Sequence, residues 1–405
     1  MNKQAIDKDI QPAIDNLDQW IAANGWAGWD PYDIKAKPGI LKITEKSRNN
    51  LLFRIWREVI FESFTHFPLF FRKLLRIQPR INAKAMALFA TAYLDLYETT
   101  GKKDYLNRAL ECLEWLGNNR APHIAGSGWG YPFDWFSNEL VPAGTPNGIV
   151  TTAAGHAFWR AYKILGQEQY LKECVNIAHF LAGLPKNEAI PGTICFSYTP
   201  LYINHVHNLN LFVAEFLVRV GKATNNHGWI EMGNKAVNYT LACQDPAGFF
   251  DYNGPPEKPA RFVDHYHTGF VLRMLHALWK HTRREDIRRS MERCYKHYME
   301  HFFEDERIPR LMPLRKYRID IHSCAEAVIC LSDLQDTFPE AGARAEKVLS
   351  WTLEHLRSKK GYFYYGIHKS RFTGIPFKSK IPYIRWGQAW MLLALSTFVK
   401  KQVHA

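Results

Sequence analysis

The chain lacks any apolar stretch long enough to cross a membrane. A membrane-spanning helix needs about 20 consecutive apolar residues, and every apolar run in these 405 residues is shorter. Residues 1–17 also lack the hydrophobic segment that a secretory signal peptide requires. These absences argue against a transmembrane helix and a conventional leader, and we therefore expect a cytoplasmic protein.

Cysteines are few, and their spacing suggests no pairing. The chain holds seven, an odd number, and no two of them form a CxxC pair. This argues against a disulfide framework and favours reduced thiols. Asp264, His265 and His267 would be a candidate metal group, but the histidines stand two residues apart and would not share a helix face. No HExxH motif occurs, so we expect neither a metal nor another cofactor.

Long runs of like charge are missing as well, although the net charge is +13, from 52 Lys and Arg against 39 Asp and Glu. A positive surplus favours an anionic partner, such as an acidic glycan or an anionic membrane. The basic residues are dispersed, and no helix-turn-helix, zinc-finger or RNP-type motif accompanies them. We therefore do not expect nucleic acid as a partner.

Residues 51–77 combine aromatic, basic and amphipathic character. Such a helix would lie on an anionic membrane surface and make the protein peripheral to the membrane. A buried helix pair inside the fold is the other interpretation. We favour the buried pair at this point, because the apolar stripe of a helix usually faces a core.

Strand-type alternation is almost absent, and the pattern is that of amphipathic helices separated by glycine- and proline-rich loops. Residues 82–100 and 104–119 predict one helical hairpin, with Gly101 ending its first helix. The pattern recurs, and the first helices start near positions 82, 149, 207, 265, 321 and 385. Spacings of 56 to 67 residues indicate supersecondary units that bury a face against their neighbours.

A helix over residues 385–401 remains after five complete hairpins, and it is apolar nearly all round. Such a helix needs burial on several sides. Pairing it with N-terminal helices from residues 9–77 would supply a sixth hairpin and close the array. We therefore predict an all-α fold, an (α/α)6 toroid, with residues 1–405 forming a single domain. An open superhelix is the alternative.

Long loops precede the first helix of each hairpin, and in a ring they would gather on one face. They span residues 126–148, 190–210, 247–267, 307–322 and 361–386. Each loop combines aromatic rings with hydrogen-bonding side chains. Aromatic rings stack on the C–H faces of sugars, while the polar groups bind sugar hydroxyls. The loops therefore predict a carbohydrate-binding cleft.

The candidate site residues come from these loops. Asp134 lies among aromatic residues, an environment that suits a general acid. Asp264 and Asp320 each precede a predicted helix, where N-capping is the alternative role, but the histidines beside them favour acid–base chemistry. The predicted catalytic residues are Asp134, His207, Asp264, His267, Asp320 and His322. The predicted substrate-binding residues are Trp129, Tyr131, Trp135, Tyr198, Asn208, Asn210, His265, Arg318, Arg385 and Trp386.

Several motifs, taken in order, resemble a family encoded in bacterial and archaeal polysaccharide gene clusters. The matching segments are GWDPYD (28–33), WGYPFDW (129–135), VPAGTP (141–146), CFSYTP (195–200), VHNLNL (206–211), DHYHTGF (264–270) and IDIHSCAEA (319–327). Members are often labelled glycosyl hydrolase or delta-aminolevulinic acid dehydratase. The resemblance spans nearly the whole chain and implies the six-hairpin glycosidase-like fold and a role in surface polysaccharide biosynthesis. The dehydratase label does not fit, because that chemistry uses a βα barrel with catalytic lysines.

A glycoside hydrolase is the leading functional hypothesis. It would use Asp134 and Asp264 as its acid/base pair, with Asp320 as substitute, since two carboxylates flanking the bond are the usual requirement. A non-catalytic glycan-binding scaffold of a glycosyltransferase complex is a second class, which would keep the aromatic residues without needing the Asp–His pairs. A helical protein-interaction solenoid is a third, and it does not call for loops rich in Trp, Tyr and His.

A uronyl epimerase or polysaccharide lyase is the alternative enzyme. Proton removal beside a sugar carboxylate needs a base, and His207, His267 or Tyr198 would serve. Arg318 or Arg385 would then neutralise the substrate carboxylate. For either enzyme the expected partner is a carbohydrate substrate, acidic or lipid-linked.

Overall fold

The computed structural model describes residues 3–136, 139–258 and 263–403, with side chains from residue 9 onward. More than half of the chain is helical. In chain order the helices are α1 (Lys3–Asn24), α2 (Pro38–Lys46), α3 (Leu51–His66), α4 (Pro68–Leu74), α5 (Ala83–Thr100), α6 (Lys103–Asn118), α7 (Gly148–Leu165), α8 (Glu168–Ala182), α9 (His207–Thr224), α10 (His227–Ala242), α11 (His265–Thr282), α12 (Glu285–His301), α13 (Ile321–Leu334), α14 (Pro339–Leu356) and α15 (Trp390–Val403). A π-helical segment, Ile384–Ala389, leads into α15. The predicted loops over 126–148 and 247–267 include residues 137–138 and 259–262, which lie outside the described residues.

Side-chain caps fix the start of several helices. Asn82, Asn147 and Asp264 each accept a hydrogen bond from a backbone N–H in the first turn of α5, α7 and α11, and Asp320 does the same for α13. These bonds satisfy amides that have no partner inside the helix. Gly101 ends α5 in the left-handed conformation, with φ of 71°, which glycine adopts without steric cost. The hairpin that Gly101 predicted is confirmed.

Six helices of the described chain form a closed inner ring. α5 packs against α7, α7 against α9, α9 against α11, α11 against α13, α13 against α15, and α15 returns to α5. Helices α6, α8, α10, α12 and α14 each pack outside on the inner helix that precedes them in the chain. α1 packs on α14 and α15. The predicted (α/α)6 toroid is confirmed and the open superhelix is excluded, whereas a single domain over residues 1–405 stays a prediction.

Closure explains the apolar character of α15. Every residue from 390 to 398 is buried, because α5 and α13 flank this helix in the ring and α1 covers it from outside. A helix enclosed in this way has no face left for polar side chains over most of its length.

Short antiparallel strands lie in the loops between hairpins. β1 (Trp135–Phe136) pairs with β2 (Leu140–Val141), β3 (Lys186–Asn187) with β4 (Cys195–Phe196), and β5 (Phe303–Glu304) with β6 (Ile308–Pro309). β7 (Ile319–Asp320), β8 (Gly366–Lys369) and β9 (Pro376–Ser379) form a three-stranded sheet. Asp320 pairs with Gly366 in this sheet and also caps α13. Strand pairing and helix capping therefore fix the position of Asp320 together.

Helices α3 and α4 do not form a buried pair inside the ring, so the interpretation favoured for residues 51–77 is wrong. α3 packs on α2 and α4, and Leu52, Trp56 and Phe70 are 68%, 62% and 61% exposed. Periodicity shows that a helix has an apolar stripe, but it does not show which way the stripe faces. None of the described helices has the length and apolarity that a membrane span needs.

Candidate active site

Asp264 and His267 form a carboxylate–imidazole pair at the start of α11. Oδ1 of Asp264 accepts the backbone N–H of His267 at 2.8 Å, and Oδ2 lies 2.7 Å from Nδ1 of its ring. The Asp264 side chain is fully buried, whereas 23% of the His267 side chain is exposed. The carboxylate therefore holds the imidazole with Nδ1 inward and Nε2 on the opposite edge. This is the arrangement that orients a histidine for acid–base chemistry.

Asp320 occupies the equivalent position on the neighbouring inner helix, α13. Its Oδ1 accepts the backbone N–H of His322 and Nε1–H of Trp386, both at 2.9 Å. Nε of Arg318 lies 3.1 Å from Oδ2, and Arg318 also donates to the Tyr365 hydroxyl at 3.1 Å. Burial raises the pKa of Asp320, although Arg318 opposes the change. Asp320 therefore holds a proton more readily than an exposed aspartate does.

His322 is enclosed by aromatic rings. Its ring centroid lies 4.6 Å from that of Tyr266, 4.5 Å from Trp386 and 4.7 Å from Trp390. Neither ring nitrogen has a hydrogen-bond partner among the described residues. Burial, reinforced by the nearby Lys84 ammonium, holds the pKa of His322 well below its usual range. His322 is therefore a neutral imidazole, which offers one donor and one acceptor to a ligand.

An unbroken series of ring contacts joins these residues to the other loops. Neighbouring centroids are 4.5 to 6.4 Å apart, within the range of favourable aromatic contacts. The series, which we call the aromatic cleft, runs through Tyr198, Trp135, Tyr131, Phe133, Tyr32, Trp386, Tyr266, His267 and Tyr252. It brings together the starts of α11, α13 and the segment that leads into α15, whose helix dipoles add partial positive charge.

Arg385, predicted to bind substrate, already has a carboxylate partner inside the protein. Its Nε and Nη2 donate to the two oxygens of Asp30 at 2.6 and 2.8 Å, and it is only 3% exposed. The guanidinium also lies 4.9 Å from the ring centroid of Tyr131. Arg385 therefore supports the cleft wall from behind, and Arg318 is the arginine at the site that retains solvent exposure, 33% of its side chain.

Three further residues predicted to bind substrate have side chains that point away from the cleft. Trp129 is 1% exposed and donates to the carbonyl oxygen of Leu116 at 3.0 Å. His265 points toward α12, where its Nε2 lies 3.1 Å from the Tyr298 hydroxyl. Asn210 is fully buried and its amide bonds the chain on both sides. Each residue stands beside the cleft in sequence, but its side chain turns into the packing between inner and outer helices.

His207 and Asn208 lie at the edge of the site. The His207 ring packs 5.5 Å from Tyr239 of the outer helix α10, and burial lowers its pKa to about 4. It shares a small space with Asn208, Asp264 and His267. Oδ1 of Asn208 has no hydrogen-bond partner among the described residues, which leaves this acceptor for a ligand. His207 itself is held mainly by packing.

Asp134 lies apart from the other predicted catalytic residues. Its Oδ1 accepts the backbone N–H of Ala143 at 2.7 Å, a bond that joins the residue before β1 to the segment after β2. Asp134 lines a cavity of about 370 Å³ together with Asp30 and Asp33. No hydrogen bond or ion pair joins it to Asp264 or Asp320 within the described part of the chain. Asp264, His267, Asp320 and His322 are thus the predicted catalytic residues that the structure groups together.

Sequence reasoning missed Lys84 and Tyr266. Lys84 is 6% exposed, its ammonium lies 5.2 Å from the Trp390 ring, and burial lowers its pKa to about 7. The sequence could have indicated Lys84, because it is the only charged residue between Asn82 and Asp95 in an otherwise apolar stretch of helix. Tyr266 stands between two histidines in DHYHTGF. The sequence does not indicate that its ring contacts both His322 and Trp386.

Comparison with known proteins supports the fold. No protein-family model and no curated protein sequence matches the chain. Solved structures do match. A GH76 α-mannanase from Bacteroides thetaiotaomicron aligns with TM-score 0.63 and 11% identity, over 80% of this chain and 87% of that one. A sugar epimerase from a ruminal bacterium aligns with TM-score 0.61 and 13% identity, over 80% and 88%.

A third match is an unsaturated glucuronyl hydrolase from Bacillus sp. GL1, with TM-score 0.55 and 13% identity over 76% of this chain and 84% of that one. These toroids are carbohydrate-processing enzymes of different chemistry. At such identities the likeness shows the fold alone, and the reaction must be argued from the site.

The described residues include no group of three or more His, Cys, Asp or Glu side chains placed to hold a metal ion together. The imidazole of His267, held by a carboxylate, and the buried carboxyl of Asp320 beside Arg318 are groups able to transfer a proton. Aromatic walls and unpartnered polar groups at His322 and Asn208 complete the arrangement.

Proposed function

We propose that the chain is a carbohydrate-active enzyme that removes a proton from a uronic acid unit of a glycan, as a uronyl epimerase or polysaccharide lyase does. The Asp264–His267 pair carries this proposal. A hydrolytic carboxylate must touch the glycosidic oxygen or a water, yet Asp264 is fully buried behind the partly exposed His267 ring. In this proposal His267 is the base and Asp264 is the group that positions it.

The developing negative charge would be stabilised by Arg318. This guanidinium is held by Asp320 and Tyr365 and remains one-third exposed, so it is placed to bind a sugar carboxylate. The rings of the aromatic cleft would stack on the sugar units, and His322 and Asn208 would bind hydroxyls. The helix dipoles at this face also favour an acidic substrate.

Glycoside hydrolysis is the second candidate, and one observation favours it. The raised pKa of Asp320 is the property expected of a general acid. Asp134 would then have to supply the second carboxylate, although it lies in a neighbouring cavity. The matches to an α-mannanase and a glucuronyl hydrolase are compatible with this chemistry, whereas the match to a sugar epimerase is closer to the first proposal.

The proposal extends to the wider context of the reaction. The resemblance of the sequence motifs supports a role in surface polysaccharide biosynthesis, acting on a nascent glycan that is acidic or lipid-linked. The positive net charge supports association with anionic glycans or membranes. We further propose a single domain in the cytoplasm.

Replacing Asp264 by Asn tests the proposal. Asparagine caps a helix about as well as aspartate, so D264N should keep normal thermal stability. The variant lacks the carboxylate that lies against Nδ1 of His267, so surface polysaccharide maturation in cells should fail, as it should for H267Q. D134N serves as the matched control and should mature the glycan normally.

The reaction type is decided by incubating the enzyme in deuterium oxide with oligosaccharides from the same polysaccharide. An epimerase or lyase would introduce deuterium next to the carboxylate or form an unsaturated sugar, whereas a hydrolase would release shorter chains without either change. If folded D264N, H267Q and D320N all restored the glycan fully, a non-catalytic binding scaffold would be the better account.

A further inference from the structure

Helices α3 and α4 present an apolar face to solvent. The exposed residues on α3 recur at positions that share one side of a helix, and α4 continues the surface. The face comprises Leu51, Leu52, Ile55, Trp56 and Val59 on α3, Phe67 between the two helices, and Leu69, Phe70 and Leu74 on α4, each at least 40% exposed. A contiguous apolar surface of this kind marks a binding face for a membrane or another macromolecule.

The tip of the β8–β9 hairpin extends this face. Phe372 and Ile375 are 60% and 64% exposed. The hairpin is fixed to α3, because Nε2 of His66 lies 3.0 Å from the Ser370 hydroxyl and Arg371 pairs with Glu58. We call α3, α4 and the hairpin tip the apolar platform.

A basic cavity of about 480 Å³ opens beside the platform. Its lining includes six cationic side chains but only two carboxylates. The cations are Lys35, Arg72, Arg315, Arg318, Lys369 and Arg371, and the carboxylates are Glu58 and Glu62. Arg72 is matched by Asp33, but Lys35, Arg315 and Lys369 have no carboxylate within 4 Å in the described part of the chain. The cavity therefore keeps an excess of positive charge for an anion.

The cavity connects the platform to the aromatic cleft. The Lys35 ammonium lies 4.9 Å from the ring of Phe61 on α3 and 5.0 Å from the ring of Tyr32 in the cleft. Arg318 lines the cavity and also pairs with Asp320. Lys35 and Arg318 thus join the basic cavity to the aromatic cleft, and Lys35 also joins it to α3.

The charge around the platform favours an anionic lipid surface over a second copy of this chain. Residues 38–78 and 366–380 carry 12 Lys and Arg but only 3 Glu. Two copies pairing through this face would bring like charges together, which opposes association. An anionic bilayer attracts the basic fringe while the apolar side chains enter its interface.

We infer that the apolar platform lies on an anionic membrane and that the basic cavity binds the phosphate that joins a glycan to its lipid. The lipid would run along the platform, and the sugars would enter the aromatic cleft. This inference deepens the proposed function, on which its assignment of the sugar units rests, but membrane and phosphate binding are measured without any turnover.

Co-sedimentation with vesicles tests the platform. The full chain should bind vesicles of phosphatidylcholine and phosphatidylglycerol, and bind pure phosphatidylcholine vesicles much less, with binding weakened by salt. Leu52→Glu with Trp56→Glu should lower the bound fraction by about tenfold or more. Leu110→Glu, a change on the outer helix α6 at a residue 36% exposed, is the matched control and should bind normally.

Absence of vesicle binding by the wild-type chain would overturn the inference. A concentration-dependent dimer that L52E/W56E abolishes would also overturn it, since the platform would then be an interface between copies. Thermal unfolding of each variant confirms that it is folded, which the exposure of both residues leads us to expect.

Calorimetric titration tests the cavity. Inorganic pyrophosphate should bind the wild-type chain, and Arg315→Gln with Lys369→Gln should weaken it about tenfold, while the control Lys296→Gln on α12 should not. Farnesyl diphosphate separates a lipid-linked phosphate from a free one. L52E/W56E should bind farnesyl diphosphate more weakly than the wild-type chain does, but should bind pyrophosphate equally well. If the variant binds both probes as tightly as the wild-type chain, the lipid assignment is overturned.

Failure of this inference is distinguishable from failure of the proposed function. D264N should bind vesicles and pyrophosphate like the wild-type chain, because Asp264 lies in the cleft and outside the cavity lining. If R315Q/K369Q binds pyrophosphate as tightly as the wild-type chain, the cavity is not the phosphate site, whatever D264N does to the glycan.

Discussion

The two ends of the inner ring both hold buried charged groups, but they pair them differently. From the middle of the inner helices toward their carboxyl ends, Glu215 is bonded by Arg219, His156 and His281. Nearby, Asp95 is paired with both Arg160 and Lys400. Five of these residues, His156, Arg219, Asp95, Arg160 and Lys400, line a cavity of about 290 Å³ that extends to Lys84 near the start of α5. The charges of Glu215 and Asp95 are compensated within the protein.

At the amino ends, Arg385 is likewise paired with Asp30, but His322 and Lys84 differ. Asp264 binds one edge of the His267 ring, His322 has no hydrogen-bond partner among the described residues, and Lys84 lies over Trp390 without a carboxylate within 4 Å in the described chain. A buried polar group without a partner lowers stability. From this difference we propose that one end stabilises the ring and that the other end binds a ligand.

The largest effect on stability should come from Glu215→Ala. Removing one member of a buried ionic network leaves the others uncompensated, which typically costs about 3–5 kcal/mol. We expect a loss of this order in the free energy of unfolding, measured with denaturant, while the folded fraction keeps its activity on glycan. The exposed Glu231→Ala on α10 is the control and should leave stability unchanged.

The Glu215 effect should depend on pH. Burial opposes ionisation, but Arg219 and two histidines hold the pKa of Glu215 well below its usual 4.5. Its stabilisation is therefore present above about pH 4.5 and is lost as the pH falls toward the lower folded-state pKa. The difference in the free energy of unfolding between wild type and E215A should decrease in that pH range. If E215A instead lost activity while its free energy of unfolding stayed unchanged, the roles assigned to the two ends would be wrong.

A smaller effect of opposite sign should come from Lys84→Met. Burial lowers the pKa of Lys84 from 10.5 to about 7, so the folded state binds this proton less tightly than the unfolded chain. The wild-type stability should therefore rise with pH between 7 and 10.5. K84M should unfold several degrees higher than wild type at pH 7, and its advantage should shrink by pH 10.

Activity completes the Lys84 test. A lysine kept at a cost in stability is expected to serve the site, so K84M should be more stable but less active. The comparison of the two ends would fail here if K84M were less stable than wild type at pH 7, because Lys84 would then belong to the compensated charges.

The smallest stability effect should come from Asn208→Ala. Oδ1 of Asn208 has no partner among the described residues, so its loss should change the unfolding free energy by no more than about 0.5 kcal/mol while raising KM for the glycan. Asn210→Ala on the same helix is the matched contrast. Its amide bonds Phe196, Ala236 and Thr240, and its loss should cost about 1–3 kcal/mol. Equal costs for the two variants would contradict the assigned roles.

The ring could be predicted because its signals are local. Glycine stops such as Gly101, capping residues such as Asp264 and Asp320, and the repeat spacing are all visible in the sequence. The Asp264–His267 pair could be predicted from the same local sequence pattern, because the two residues lie three positions apart. It could not predict the partner of Arg385, because Asp30 lies 355 positions away.

The remaining features of the site could not be predicted because the sequence does not show the direction of each side chain. Trp129 and His265 belong to the expected loop and helix start, yet they turn into the packing between helices, and only the positions of the outer helices decide this. The apolar stripe of α3 was equally visible, but its exposure depends on where the neighbouring helices end. The sequence pattern thus predicted which loops gather at one end of the ring. It did not show which of their side chains face the cleft.

Hydrogen–deuterium exchange tests the central claim most directly. Oligosaccharides prepared from the surface polysaccharide of the source organism would be added to the D264N variant, so that binding is measured without turnover. The account predicts slowed exchange in residues 126–136, 190–210 and 307–322 and in the first turns of α11 and α13, with the carboxyl ends of α5, α7 and α9 unchanged. Protection confined to those carboxyl ends, or absent at both ends, would contradict it.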